Sequence, residues 1–154
     1  MSGKESIIVA GCGGHGKVAI DLIRAKGTFA IAGIVDPRLK KGASVFGVRV
    51  LGGDAMLKEY LLKGVTHICV GVGKVCQDST RRRVYEKVRK MGFHFPPLVH
   101  PAAVVSREVQ LGDGAQVMAG AVIQPGSVIG TNTIVNTSAV VDHDCTIGDH
   151  AHIC

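Results

Sequence analysis

The chain has 154 residues, of which 46% are hydrophobic, 19% are charged and 4% are aromatic. This composition can form a core and argues against a disordered chain, and no apolar stretch reaches the ~18 residues of a membrane-spanning helix. The net charge of +6 is unevenly distributed, because residues 1–98 carry 17 basic and 7 acidic side chains, whereas residues 99–154 carry 1 and 5. The shift predicts two domains, residues 1–98 and 99–154, that meet near the Pro96-Pro97 pair.

The cysteine content indicates the compartment. There are 5 cysteines, an odd number, and no C-x-x-C pair, which favours neither a disulfide framework nor a zinc ribbon. The apolar stretch near the N-terminus is too short for a secretory signal. We therefore expect a reducing, cytoplasmic setting.

In the first domain, short apolar stretches alternate with stretches of helical periodicity. The predicted strands are residues 6–10, 30–35 and 66–72, and the predicted helices are residues 17–26, 54–63 and 79–91. Gly27 is a plausible stop for the first helix. This order predicts a small doubly wound α/β domain of the Rossmann type.

A glycine-rich loop follows the first predicted strand and fits the G-x-G-x-x-G pattern. Its residues with a possible phosphate-binding role are Gly11, Gly13, Gly14, His15 and Gly16. Glycines allow close approach of a phosphate, and the N–H groups at a helix start favour anions. Asp36 lies 20 residues beyond the last glycine, where a carboxylate can accept a hydrogen bond from a ribose hydroxyl. The alternatives are a glycine turn that only packs the helix on the strand and a purely structural role for His15.

The size of the first domain favours one nucleotide over a dinucleotide. Before Pro96 there is room for about one mononucleotide-binding half, so a nucleoside diphosphate joined to a small group fits better than NAD. The positive charge of this domain suits a diphosphate. We interpret the run Arg81-Arg82-Arg83 as a solvated helix face. The basic helix has few aromatics to stack bases, which argues against nucleic-acid binding.

The second domain repeats every six residues. Large aliphatic residues occupy every sixth position, namely Val99, Val105, Leu111, Val117, Ile123, Ile129, Val135, Val141, Ile147 and Ile153. Mostly small residues follow four positions later. This period predicts a parallel β-solenoid, and Gly112, Gly130 and Gly148, spaced by 18 residues, predict three hexads in each triangular coil.

The predicted solenoid contains about three coils and stops two residues into a tenth hexad. A solenoid needs a cap over its last coil. The sequence therefore predicts either a C-terminally truncated piece of a longer protein, which we favour, or a last coil covered by something outside the chain.

The two domains together resemble the PglD/NeuD-type sugar acetyltransferases. The resemblance is carried by the GxGGHGK loop, by the acid at the end of the second strand, by residues 98–101 (LVHP) and by residues 136–148 (NTSAVVDHDCTIG). The family includes N-acetyltransferases of UDP-4-amino-dideoxy sugars and, more distantly, sialic acid O-acetyltransferases. The resemblance implies a left-handed β-helix, a homotrimer, a nucleotide-activated sugar held by the first domain, and acetyl-CoA bound between subunits.

The resemblance also implies residue roles. His143, which the hexad register places outside the coil, would be the general base for direct acetyl transfer without a covalent intermediate. Asp144 matches the family's acidic residue, with Asp142 in reserve. Asn136 matches an Asn near the amino sugar, and His152 matches a His near acetyl-CoA. A solvated corner and a turn-stabilising Asn are the alternatives.

Two further signals remain open in the sequence. Cys145 lies beside His143 and invites a nucleophilic role, but its place in the series of small residues favours packing. His150 and His152 form an H-x-H pair without further ligands, so we expect no metal. The rival functions are a nucleotide-sugar-binding module without catalysis and a small NAD-dependent oxidoreductase, which would leave the solenoid unexplained.

Overall fold

The computed structural model describes residues 3–73 and 79–154 of the chain, and Cys76 lies outside them. The chain divides into two compact units, Met1–Phe95 and Pro96–Cys154. The boundary predicted after residue 98 lies three residues beyond this division. Within the described ranges, no helix is long and apolar enough to cross a membrane.

The first unit is a five-stranded sheet with three helices. Its strands are β1 (Glu5–Ala10), β2 (Phe29–Val35), β3 (Ser44–Val45), β4 (Val48–Gly52) and β5 (His67–Val70), in the order β3-β4-β2-β1-β5. Its helices are α1 (Gly14–Lys26), α2 (Ala55–Leu62) and α3 (Thr80–Lys90). All strand pairs are parallel except β3 with β4. The predicted α/β fold is thus confirmed, and the chain changes direction across the sheet at β1, where such folds place their ligands.

The core of this unit explains why these elements form. Apolar side chains of α2 and α3, including Leu57, Tyr85 and Val88, pack against Ile8 and Ile68 of the sheet. Helix α1 ends at Gly27, whose φ of 72° lets its N–H bond the carbonyl of Ile23. The buried side chains of α1 are those of Ala19, Ile20, Leu22 and Ile23, whereas Val18 is 42% exposed.

The β3–β4 hairpin was not predicted. Its two-residue turn, Phe46-Gly47, has positive φ at both positions, as the tight turns that suit hairpins require. A phenylalanine is an unusual residue for such a position, so the turn carries no Asn-Gly or Asp-Gly signature.

The second unit is the predicted left-handed parallel β-helix. Its strands are two residues long and recur every six residues: β6 (Leu98–Val99), β7 (Val104–Val105), β8 (Gln110–Leu111), β9 (Gln116–Val117), β10 (Val122–Ile123), β11 (Val128–Ile129), β12 (Ile134–Val135), β13 (Val140–Val141), β14 (Thr146–Ile147) and β15 (His152–Ile153). They form three parallel sheets, β13-β10-β7, β14-β11-β8 and β15-β12-β9-β6. Neighbours in each sheet are 18 residues apart, for example Ile123 and Val141. Three hexads therefore make one coil.

The second residue of each strand enters the coil, and the small residues fill its corners. Val117, Ile123, Val135 and Val141 belong to one buried cluster with alanines of the small series. One corner needs glycine, since a Cβ on Gly130 would lie 2.6 Å from the backbone nitrogen of Asp149. The spacing of 18 thus reflects direct stacking of backbones.

The turns show a further period that was not predicted. Every sixth residue from Gly114 has a positive φ, and the non-glycine members are Asn132, Ser138, Asp144 and His150. Residues with short polar side chains tolerate this left-handed conformation better than most. The fold therefore holds the backbone of Asp144, with a φ of 56°, in the left-handed conformation of this turn position.

Candidate functional site

The glycine loop packs tightly at one end and is open at the other. A Cβ on Gly16 would lie 2.5 Å from the carbonyl oxygen of Gly11, and a Cβ on Gly71, directly after β5, would collide with the same oxygen. A Cβ on Gly13 or Gly14, by contrast, would have no neighbouring atom within 4 Å. The three close-packed glycines hold α1 against the sheet, while the other two leave space at the start of α1.

The start of α1 is suited to an anion. The cap residue Gly13 offers no side-chain hydrogen bond, and the first turn contains no acidic residue. The first N–H groups of a helix lack partners within the helix and carry a partial positive charge. Half-buried His15 lies nearby, and its Cβ would be 3.2 Å from a Cβ on Gly73.

Asp36 lies at the end of β2, and its side chain is engaged within the chain. Oδ2 accepts hydrogen bonds from the Cys12 backbone N–H and from Arg38 Nη2, both at 2.9 Å. Oδ1 accepts from the backbone N–H and Nε of Arg38, at 2.9 and 3.1 Å. The bonds from Arg38 hold the pKa of Asp36 at about 2, against the opposing effect of burial. Asp36 therefore connects the glycine loop to a cation, Arg38, whose side chain is 72% exposed.

A cavity of about 470 Å³ opens beside these groups. Gly11, Asp36 and Val72 line it from the ends of three parallel strands, and residues of α2 and α3 complete its wall. Arg38, Arg83 and Lys87 supply positive charge at this cavity, and Lys87 pairs with Asp54 at 2.5 Å. A cavity with apolar walls and a few cations at strand ends is suited to a nucleotide.

The structural role of Arg81 was not predicted from the sequence. The solvated-face interpretation of the arginine run was wrong for Arg81, which is 2% exposed. Its Nη1 donates to the carbonyl oxygens of Val70 and Val72, at 2.9 and 2.7 Å. Burial lowers the pKa of Arg81 to about 10. Because these partners lie in the segment that follows β5, no local pattern around Arg81 reveals them.

In the second unit, the structure brings two predicted residues together. Nδ1 of His143 lies 2.9 Å from Oδ2 of Asp144, on an exposed corner between β13 and β14. The His143 backbone N–H also donates to Oδ1 of Asp142 at 2.8 Å. The hydrogen bond from Asp144 and the charges of both aspartates raise the pKa of His143. A carboxylate at this distance favours the tautomer with the proton on Nδ1, which leaves Nε2 of this 71% exposed side chain as the basic nitrogen.

The remaining predicted residues lie around the neighbouring corner. Asn136 is half-buried at the turn that follows β12, and its backbone N–H donates to the carbonyl of Ile153 at 2.8 Å. His152 directly precedes Ile153 in β15, is half-buried, and pairs in register with Ile134 of β12. Asn136 and His152 thus belong to one edge of the coil, one corner away from the His143–Asp144 pair.

Cys145 occupies the inner, packed position that the small-residue series predicts, beside the buried cluster. Nδ1 of His150 lies 2.9 Å from Nδ2 of Asn132. Among the described residues, no group of three or more His, Cys, Asp or Glu side chains is arranged to hold a metal ion.

Both units match known protein families. The description "PglD N-terminal domain" fits residues 6–88, more than half of the chain, and "Bacterial transferase hexapeptide (six repeats)" fits residues 108–143. The UDP-N-acetylbacillosamine N-acetyltransferase of Bacillus subtilis is 32% identical over 117 residues, which are 75% of this chain. The chain spans only 52% of the length of that curated relative.

Solved structures match nearly the whole chain. A histidine-to-asparagine mutant of perosamine N-acetyltransferase from Caulobacter crescentus, in complex with CoA and GDP-perosamine, is 39% identical with a TM-score of 0.87, covering 96% of this chain and 67% of that one. The acetyltransferase domain of PglB from Neisseria gonorrhoeae, in complex with acetyl coenzyme A, is 40% identical with a TM-score of 0.87, covering 97% and 70%. With the matched domain and repeats, these likenesses show that the chain belongs to the PglD family of sugar acetyltransferases.

Proposed function

We propose that the protein transfers the acetyl group of acetyl-CoA to the amine of a nucleotide-activated 4-amino-dideoxy sugar, with His143 as the general base. One observation carries this proposal, namely the contact of 2.9 Å between His143 Nδ1 and Asp144 Oδ2 on an exposed corner. The similarity to N-acetyltransferases that act on such sugars or bind CoA supports the reaction class.

The chemistry follows from the orientation of the imidazole. The sugar amine attacks the thioester carbonyl, a nitrogen–carbon bond forms, and the carbon–sulfur bond to CoA breaks. Nε2 of His143 takes the proton that the amine loses and returns it to the departing thiolate, so the enzyme ends the cycle unchanged. Asp144 fixes the tautomer and stabilises the imidazolium that forms in between. The Asp142 carboxylate accepts a hydrogen bond from the backbone N–H of His143 and not from its ring, so Asp142 has the lesser role.

We assign the nucleotide to the first unit. The phosphates would face the loop residues Gly11, Gly13, Gly14, His15 and Gly16 at the start of α1, where N–H groups favour anions. Asp36 already accepts four hydrogen bonds from the chain, about as many as a carboxylate holds. A ribose hydroxyl therefore binds Asp36 by replacing a bond from the exposed Arg38 side chain.

We assign the sugar amine and the CoA thioester to the second unit, with Asn136 near the amino sugar and His152 near acetyl-CoA. Their position on one edge of the coil, linked by the bond from Asn136 N–H to Ile153, supports a shared site.

No step of this mechanism needs a metal ion. We also assign the protein to a reducing, cytoplasmic setting, because an odd number of cysteines without a C-x-x-C pair favours no disulfide framework.

We further propose that the protein is a homotrimer and that a second copy covers one face of the β-helix. On the sheet β7-β10-β13, the outward residues Val104, Val122 and Val140 stand in register. Val104 and Val140 are each 65% exposed, although valine favours burial. Strand β13 leads directly into the turn that carries His143, so a copy on this face would border the base.

The direct test is acetyl transfer from acetyl-CoA to a panel of UDP- and GDP-activated sugars, with product mass as the readout. The panel contains 4-amino sugars and sugars with only hydroxyl acceptors. A mass gain of one acetyl group on a 4-amino sugar supports the proposal, and the nucleotide that reacts identifies the substrate. Transfer only to hydroxyl groups would instead make the protein an O-acetyltransferase.

Two histidine variants test whether His143 is the general base. His143→Asn should lower kcat by about 10²-fold or more, as the loss of a general base does, while titration with the nucleotide sugar still shows binding. His94→Asn, an exposed histidine of the first unit, is the matched control and should retain activity. Full activity of His143→Asn would contradict the assignment. Binding of the nucleotide sugar by the wild type without any transfer would favour the non-catalytic binding module.

A further inference from the structure

We propose that Ser127 and its neighbour Gly126 are positioning residues, which hold the His143–Asp144 pair in its working geometry from one coil away. Neither residue was identified from the sequence. The inference rests on the proposed role of His143, but it concerns how the turn is held and has a readout that does not depend on catalysis.

Ser127 connects the two ends of the turn that carries the pair. Its side chain is fully buried. Its hydroxyl donates to the carbonyl oxygen of Asp142 at 2.7 Å and accepts from the backbone N–H of Cys145 at 3.2 Å. Residues 142 and 145 flank His143 and Asp144, so one hydroxyl fixes both sides of the turn.

Gly126 leaves the space that the Asp144 carboxylate occupies. A Cβ on Gly126 would collide with Oδ1 of Asp144, the oxygen that does not contact His143. The Asp144 backbone N–H also donates to the carbonyl of Pro125 at 3.0 Å. Residues 125–127 therefore support this turn from the coil before it, through one carbonyl, one vacant side-chain position and one hydroxyl.

The hydroxyl is a departure from the repeat, because alanine fills the equivalent position at residues 103, 115, 121, 139 and 151. Core packing therefore does not require a serine there. Thr133 makes the same two bonds under the next turn, to the carbonyl of Gly148 at 2.9 Å and from the N–H of Ala151 at 3.1 Å. The chain thus offers a matched control whose hydroxyl holds a different turn.

The experiment compares Ser127→Ala, Ser127→Thr and Thr133→Ala in the full chain. The pKa of His143 is followed by NMR, and kcat and KM for the nucleotide sugar are measured where the wild type is active. In Ser127→Ala, we expect the pKa of His143 to fall toward its ordinary value of ~6.5. We also expect kcat to fall on the order of 10-fold, with KM unchanged, as the loss of alignment predicts. Ser127→Thr keeps the hydroxyl and should restore both.

Thr133→Ala loses the same pair of bonds but should leave the pKa of His143 unchanged. An unchanged pKa and kcat in Ser127→Ala would overturn the proposal, and so would an equal fall in the pKa of His143 in Thr133→Ala. If the wild type shows no transfer, the proposed function fails, yet the NMR comparison still decides the role of Ser127.

A second pair of variants tests Gly126 and covers the case in which Ser127→Ala does not fold. Gly126→Ala and Gly120→Ala place the same methyl group at a positive φ, of 77° and 71°. Only the first would displace the Asp144 carboxylate, since Gly120 faces Ser138 instead. The pKa of His143 should therefore fall in Gly126→Ala alone, and equal values in both variants would exclude this role.

Discussion

At the residue scale, the proposed function involves two carboxylates in opposite environments. Asp36 is buried and accepts four hydrogen bonds, which keep its pKa at about 2. Asp144 is exposed and bonds the imidazole of His143, whose pKa it helps to raise. The first carboxylate is a fixed anion that bonds the glycine loop and an arginine, and the second raises the pKa of the histidine that we propose as the general base.

The raised pKa of His143 predicts the acid limb of the pH profile. A general base must be neutral, so kcat/KM should fall as the pH drops below that pKa. Asp144→Asn removes the hydrogen-bonded anion and should lower the pKa of His143, which moves the limb to lower pH while the plateau decreases. A pH–rate profile of both forms measures this, and a limb that stays in place would show that Asp144 does not tune the base.

The depressed pKa of Asp36 predicts a pH-dependent stability. Its folded-state pKa lies below the ordinary value of ~3.9, so the ionised carboxylate contributes stability above that pH, and the contribution is lost as the pH falls toward 2. Asp36→Asn should cost about 2 kcal/mol near neutral pH, with the difference shrinking between pH 4 and 2. Urea unfolding across this range measures it. The exposed Asp21→Asn on α1 is the control, and it should show almost no loss at any pH.

At the scale of elements, the β-helix repeats one short unit, and each corner has its own requirement. The inward aliphatic residue fills the coil, the small residue allows the turn, and one corner stacks backbone on backbone. The inward aliphatic positions stay uniform along the repeat, whereas the turn position that Asp144 occupies holds Gly, Asn, Ser, Asp or His in different hexads.

The stacked glycine corner gives a prediction at this scale. A Cβ at Gly130 would meet backbone atoms of Gly148 and Asp149 at 2.6 Å, and these atoms cannot move without shifting a whole strand. Gly130→Ala should therefore cost about 1–3 kcal/mol, the range for overpacked sites. Gly148→Ala is the matched control at the same corner, since nothing lies within 4 Å of its Cβ position in this chain. Equal unfolding midpoints for the two variants would contradict the stacking argument.

The secondary-structure elements and their register could be predicted from the sequence more fully than the side-chain contacts between segments. The period of six was readable because each inward residue must be aliphatic, and the register alone placed His143 outside the coil. The positive-φ series was not predicted, although Gly114, Gly120 and Gly126 mark in the sequence the turn position that Asp144 later takes. The partners of Arg81 and Ser127 were not readable, because they are backbone atoms of other segments, 9 to 18 residues away.

At the scale of the whole molecule, each unit provides one part of the proposed reaction. The first unit carries the glycine loop, the cavity and its cations, and the second carries the base. The charge partition of the sequence follows this division, because the basic residues are concentrated in the first unit, to which we assign the diphosphate. The outward valines of β7, β10 and β13 add a surface suited to association of copies.

Val140→Glu tests the association. A buried, unpaired carboxylate is costly at an interface, so this variant should sediment as a monomer while the wild type sediments as a trimer. Thr146→Glu places the same charge on the outward position of the next strand, which is exposed on a different sheet. It should remain a trimer. A monomeric wild type, or trimers in both variants, would remove this face from the interface.

Because each coil of the β-helix advances by the same distance, the number of coils that precede His143 determines the position of its imidazole along the helix axis. Adjacent strands in a sheet lie about 4.8 Å apart, and a full circuit takes 18 residues. Deletion of one complete coil upstream would move the His143 imidazole by that spacing along the axis, and the ring would still point in the same direction around the axis. Deleting a single hexad would instead swing it by about a third of a revolution. Natural variation in this region should therefore occur in multiples of 18, because only whole circuits preserve the side from which the base is approached.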